Sequence, residues 1–122
     1  MRHLESRLQA GCVTWFRYQY PHLAKLLIAV PNGGARNKRE AAIMKGEGVM
    51  AGVADLLLLV PRNGHGCLGI EMKAGNGRQT ASQKQWQERF EAGGNKYALC
   101  RTTEEFLSII KSYLTEHTTE RT

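Results

Sequence analysis

Residues 55–60, DLLLLV, set one carboxylate at the head of five consecutive apolar residues, and residues 70–73, IEMK, place two opposite charges on a second apolar segment. The first run is short, continuous and ended by Pro61, which reads as a strand covered on both faces. Between the runs, PRNGHG carries Asn63-Gly64, a two-residue turn signal, so they pair as an antiparallel hairpin. Strand two then starts where strand three finishes, and Asp55 and Glu71 fall at the same end. Side chains alternate along a strand, so Glu71 and Lys73 share one face, with Cα atoms about 6.6 Å apart, and Met72 points to the other.

Two like charges at adjoining strand ends are costly unless a cation lies between them. Asp55, Glu71 and a backbone carbonyl such as that of Met72 form the hard oxygen set that Mg²⁺ or Mn²⁺ prefers, with water completing the shell. Lys73 beside them can orient or deprotonate an attacking water, or hold a phosphate, which is the chemistry of phosphodiester hydrolysis. An isolated ExK is more often an ordinary strand-end salt bridge. The combination with Asp55, heading a strand too apolar to be an edge, shifts the balance.

Working outward, Leu4, Leu8, Cys12 and Trp15 recur at helical spacing from His3 to about Tyr20, with Pro21 as the stop. LLIAV, 26–30, reads as a strand ended by Pro31, followed by the basic loop PNGGARNKRE and a short helix over 38–46. After the hairpin, AGNGRQ is a second loop. Residues 80–94 then form a helix with Thr80 as cap and Gly93-Gly94 as stop. KYALC is a further strand, and TTEEFLSIIKSYL a last helix with Thr102 and Glu105 at capping-box spacing. The order is α-β-α-β-β-α-β-α: an α/β fold with a small mixed central sheet and helices on both faces. Residues 1–116 make one domain and 117–122 a frayed tail.

Helical geometry raises two further candidates. At about 100° per residue, Glu5 falls within the apolar arc of the first helix, facing inward, although an acid in a first turn is also favoured by the helix dipole. Gln83 shares the packing face of Trp86 and Phe90 and can reach the site over the sheet, yet Thr80 and Gln83 also fit a capping box. Both pairs of readings stand at this point.

Composition bounds the remainder. The chain has 122 residues, 17 Lys and Arg against 11 Asp and Glu, and a formal net charge of +6, which suits a phosphate-rich partner. Cys12, Cys67 and Cys100 form no CxxC pair and read as reduced core thiols. No apolar run approaches the ~18 residues of a membrane span, and no signal-peptide region opens the chain, so a cytoplasmic protein with no membrane contact is expected.

The segments GVADLLLLV, GIEMKAGNGRQTASQKQW and GGNKYALCRTTEEFLSII strongly resemble the VRR-NUC (virus-type replication-repair nuclease) domains of the PD-(D/E)XK superfamily. The resemblance covers almost the whole chain. It departs at Ala54, where the family often has proline, a residue that shapes the strand entry and does no chemistry. The resemblance implies that Asp55, Glu71 and the Met72 carbonyl bind Mg²⁺ or Mn²⁺ and that Lys73 is the catalytic lysine. It also implies that Glu5 is the first-helix acid joining the metal site and that Gln83 is the family glutamine supporting Lys73 or substrate.

Compact stand-alone members resemble Holliday-junction resolvases, so the expected activity is metal-dependent endonucleolytic cleavage of branched DNA such as four-way junctions, by a homodimer in a bacterial or phage-infected cell. Longer relatives act as flap nucleases. Arg36, Lys38, Arg39, Lys45 and Arg78, on the two loops and the short helix, are the expected DNA-phosphate contacts, with solvated surface charge as the alternative. The competing classes are a non-catalytic DNA-binding module on the same fold and a protein-interaction domain whose carboxylates are ordinary ion pairs. His3, His22, His65 and His117 show no metal-ligand spacing and receive no role.

Overall fold

The computed structural model describes residues 2–31 and 37–115. Along the chain run α1 (Arg2–Gln19), a 3-10 turn (Pro21–Leu26), β1 (Leu27–Ala29), α2 (Lys38–Gly46), β2 (Leu56–Leu58), β3 (Leu68–Met72), α3 (Ala81–Ala92), β4 (Lys96–Cys100) and α4 (Thr103–Thr115). The expected order is present, with the 3-10 turn added where Pro21 closes α1 and opens the next segment. The loop residues Asn32, Gly33, Gly34 and Arg36 and the tail at 117–122 lie outside the described residues.

The described strands form a mixed sheet in the order β1-β2-β3-β4. The pairs β1·β2 and β2·β3 are antiparallel, whereas β3·β4 is parallel. A local turn joins β2 to β3. Asn63 and Gly64 have φ of 49° and 80°, the left-handed pair of a type I′ turn, and Arg62 and His65 exchange backbone hydrogen bonds of 3.1 and 2.8 Å across it. Between this turn and the strands the pairing shifts by one residue, so that within the ladder Leu58 faces Leu68 and Leu56 faces Ile70.

Alternation along the strands divides the sheet into two faces. Leu56, Leu58, Leu68, Ile70, Met72 and Cys100 enter the main core, where they meet Cys12 and Phe16 of α1 and Phe106, Ile110 and Tyr113 of α4. Cys12 and Cys100 are buried free thiols, and Cys67 is a half-buried one. The opposite face carries Gly69, Glu71 and Tyr97, and α3 lies over it. Phe90 and Trp86 of α3 stack with ring centroids 4.4 Å apart, and Trp86 lies 6.4 Å from the Tyr97 ring.

Coverage of this second face is uneven, which corrects the expectation of a strand buried on both sides along DLLLLV. The strand itself is confined to residues 56–58, Leu57 is half-buried, and Leu59 is 44% exposed, as is Ile28 at 41%. The cause is placement: α3 packs against β4 and leaves the β1 side of the sheet open.

Two glycines bring α3 this close. A Cβ on Gly69 would lie 2.8 Å from a Phe90 ring carbon and 3.3 Å from Ala54 Cβ. A Cβ on Gly52, at φ +86°, would run into the backbone carbonyl of Ser82 at the start of α3. Thr80 caps the helix with both bonds of a capping box, and α4 begins on a related device in which Thr102 Oγ1 accepts from Glu105 N and Glu105 Oε1 from Arg101 N.

Because Phe90 is held by its stack on Trp86, it cannot yield freely to a methyl group on Gly69. Gly69→Ala is expected to lower unfolding free energy by about 1–3 kcal/mol in urea titrations, and Gly69→Val by more.

Candidate active site

The register that sets Leu56 against Ile70 continues by one residue to set Asp55 against Glu71, so the two carboxylates share a face. Asp55 also completes the ladder. Lys73 N–H points to β4, where it donates to the Cys100 carbonyl at 2.9 Å, and Met72 N–H therefore points to β2. There it meets Asp55 Oδ2 at 2.7 Å, so a carboxylate oxygen occupies a position that a backbone carbonyl normally takes. The Asp55 backbone carbonyl meanwhile accepts from Val30 N–H at 2.9 Å, tying in the end of β1.

Glu71 is 1% exposed. Gln83 Nε2 donates to its Oε2 at 2.9 Å, and the Tyr97 hydroxyl donates to its Oε1 at 3.3 Å. Burial, then the Asp55 charge and a hydrogen bond shared with Asp55, push the Glu71 carboxyl up to about 8, against smaller opposing effects of Lys73 and Tyr97. Burial and the adjacent Glu71 likewise push the Tyr97 phenol well above its ordinary range, so it remains a donor. Lys73, 8% exposed, lies two residues beyond Glu71 on the same strand face.

Gln83 serves both of the purposes that its spacing left open. Its backbone and Oε1 complete the Thr80 capping box while its Nε2 reaches Glu71. Glu5 also combines its two readings: it sits in the first turn of α1 and its Oε2 accepts from Ala74 N–H at 3.4 Å, next to Lys73. Glu5, Asp55, Glu71, Met72, Lys73 and Gln83 line one cleft. Even so, among the described residues no three His, Cys, Asp or Glu side chains approach closely enough to hold a metal ion together. The oxygen set is the Asp55–Glu71 pair, with Glu5 at the rim.

The expected DNA contacts are placed differently from the acids. Lys38, Arg39 and Lys45 stand exposed on α2, and Arg78 is exposed in the loop before α3. None of these four lines the cleft, whose basic side chains among the described residues are, besides Lys73, His3 and Arg17 of α1. Sequence reasoning also missed Tyr97 and its neighbours Gln79 and Gln87, which are bonded to one another beside Glu71. The available signal was the spacing of glutamines by four, at 79, 83 and 87.

The VRR-NUC domain family matches this chain over residues 3–104. A solved structure described as a VRR_NUC domain protein superposes with a TM-score of 0.81 at 26% identity, covering 93% of this chain and 89% of the other. A second, described as a VRR_NUC domain, gives 0.55 at 19% identity over 89% and 96%, which speaks to the fold alone. No curated protein matches the chain.

The raised Glu71 carboxyl makes stability depend on pH. Its folded value of about 8 exceeds the ordinary 4.5, so between those limits the folded chain holds more protons than the unfolded one. The associated stability is fully present below about pH 4.5 and is lost as pH rises through about 8. In urea unfolding with EDTA, the parent should weaken over this window. Glu71→Gln should flatten the slope and exceed the parent at pH 8.5, on the order of 2 kcal/mol.

Proposed function

This chain belongs to the VRR-NUC family and is a nuclease domain of the PD-(D/E)XK type, and from that premise we propose that it is a divalent-metal-dependent DNA endonuclease acting on branched DNA such as four-way junctions. The observation that carries the proposal is the Asp55–Glu71 pair: two carboxylates opposed across β2 and β3, one nearly inaccessible to water, with Lys73 adjoining.

The donor set fits Mg²⁺ or Mn²⁺. Its side-chain donors are all hard oxygens, and Mg²⁺ in particular is commonly held by one or two carboxylates while water and substrate phosphates complete its shell, so a closed cage of three acids is not required. Asp55 and Glu71 would hold the ion, with the Met72 carbonyl beside them and Glu5 at the rim of the same cleft. Bound there, a divalent cation supplies positive charge against the charge that develops on the phosphate.

The chain's own groups account for the rest. Asp55 is oriented by the Met72 N–H and Glu71 by Gln83 and Tyr97, so neither carboxylate must reorganise when substrate arrives. Lys73 lies beside Glu71 and is the group that would hold a phosphate oxygen or orient the attacking water. A net charge of +6 attracts DNA without reading its sequence, and Arg17, Lys38, Arg39, Lys45 and Arg78 are exposed cations available for phosphates. One site per chain and two symmetric cuts per junction call for a homodimer.

Purified protein is expected to cut a four-way junction in Mg²⁺ or Mn²⁺, more readily than flap, single-stranded or linear duplex DNA. Glu71→Ala and Lys73→Ala should each reduce the single-turnover rate by ~100-fold or more while leaving DNA affinity in EDTA within a few fold. Cleavage surviving both substitutions, or absent on all four substrates, would contradict the proposal. DNA binding without any cutting would favour a non-catalytic module.

A further inference from the structure

Glu71 receives one donor on each carboxylate oxygen, and both donors trace back to α3. Gln83, at the third position of the helix, reaches Oε2 directly. The second route is indirect. Gln87 lies one turn further along α3, and its Oε1 accepts from Gln79 Nε2 at 2.8 Å. The same Gln79 nitrogen donates to the Tyr97 hydroxyl oxygen at 2.9 Å, and Tyr97 donates to Glu71 Oε1 at 3.3 Å. Gln87 is itself oriented, since its Nε2 approaches Glu91 Oε2 at 3.4 Å.

Direction along this chain of bonds is determined. An amide nitrogen carries two hydrogens, and Gln79 commits one to Gln87 and the other to Tyr97. The Tyr97 oxygen is thereby an acceptor, and its single proton is left for Glu71. Tyr97 is 7% exposed, so water has little opportunity to offer that oxygen another partner. An ionised carboxylate has about four lone-pair positions; with one on each oxygen occupied, the remaining ones are oriented together.

We infer that Tyr97 is a positioning residue for the nuclease site: its hydroxyl, oriented by the Gln79–Gln87 pair, fixes the Glu71 carboxylate so that its remaining lone pairs face Asp55 and a bound divalent cation. This rests on the metallonuclease reading above. Partners that orient a metal ligand are commonly worth 10- to 100-fold in metal affinity. α3 then acts as a clamp on Glu71, directly through Gln83 and through a relay from Gln87, which accounts for glutamines at 79, 83 and 87.

Calorimetric titration of the full chain with Mn²⁺, with unfolding midpoints measured in EDTA, tests the assignment. Tyr97→Phe, which removes one hydroxyl from a folded site, should weaken Mn²⁺ binding about 10- to 100-fold and lower kcat on a junction with KM for DNA unchanged. Gln79→Leu, acting through Tyr97, should weaken Mn²⁺ binding by a smaller factor. A purely architectural role predicts the reverse: a lower midpoint in EDTA with unaltered affinity. Mn²⁺ affinity within twofold of the parent in both variants would overturn the assignment while leaving the nuclease intact. A parent that neither binds Mn²⁺ nor cuts DNA would overturn the nuclease reading and this one with it. Should Tyr97→Phe fail to fold, Gln79→Leu decides, with unaltered affinity again counting as refutation.

Discussion

Two carboxylates opposed across adjacent strands, one of them almost fully buried, impose the organisation of this molecule. The arrangement is unfavourable for two charges, and burial together with the Asp55 charge raises Glu71 to about 8. Asp55 cannot be discarded without damage to the fold. Asp55 Oδ2 satisfies a strand N–H that would otherwise lack a ladder partner, and Asp55 O secures β1. Chemistry and architecture are therefore joined in one residue, and the cost of the pair is built into the metal-free state.

A helix must come close to that pair for Glu71 to be oriented, and small residues make this possible. Gly69 leaves room for Phe90, and Gly52 leaves room for the first turn of α3. Once there, the capping box at the start of α3 holds Gln83 in the geometry that lets its amide serve two partners. The open β1 side of the same face follows from this choice of position, because one short helix cannot cover four strands.

Local signals made much of this legible in the sequence. Asn63-Gly64 encodes a turn and with it an antiparallel hairpin, which brings Asp55 and Glu71 to the same end; alternation then puts Lys73 beside them. Each inference spans few residues and rests on backbone geometry. What escaped depended on longer connections. Tyr97 reaches Glu71 because β4 pairs in parallel with β3 after a helical crossover, and no turn between them specifies that register. Exposure of Leu59 depended on where α3 settles, which apolar content does not reveal. The cations of α2 stand outside the cleft for a related reason: proximity in sequence to an active strand does not fix the direction in which a loop carries the next helix.

The openness of the site is consistent with a cation that retains water. A closed cage of three acids would bind an ion tightly in the absence of substrate and would leave phosphate oxygens no coordination position, whereas a carboxylate pair does neither. Glu5 has a defined place in such a scheme without joining the pair. Through Ala74 N–H it ties α1 to the strand end that carries Lys73, and a Cβ on Gly77 would sit 3.5 Å from Lys73 Cδ and 3.7 Å from Glu5 Oε2, so the loop passes closely over both. The third acid thus bears first on the backbone that aims the lysine. Its distance from the other two keeps a third negative charge off a pair that is already difficult to ionise.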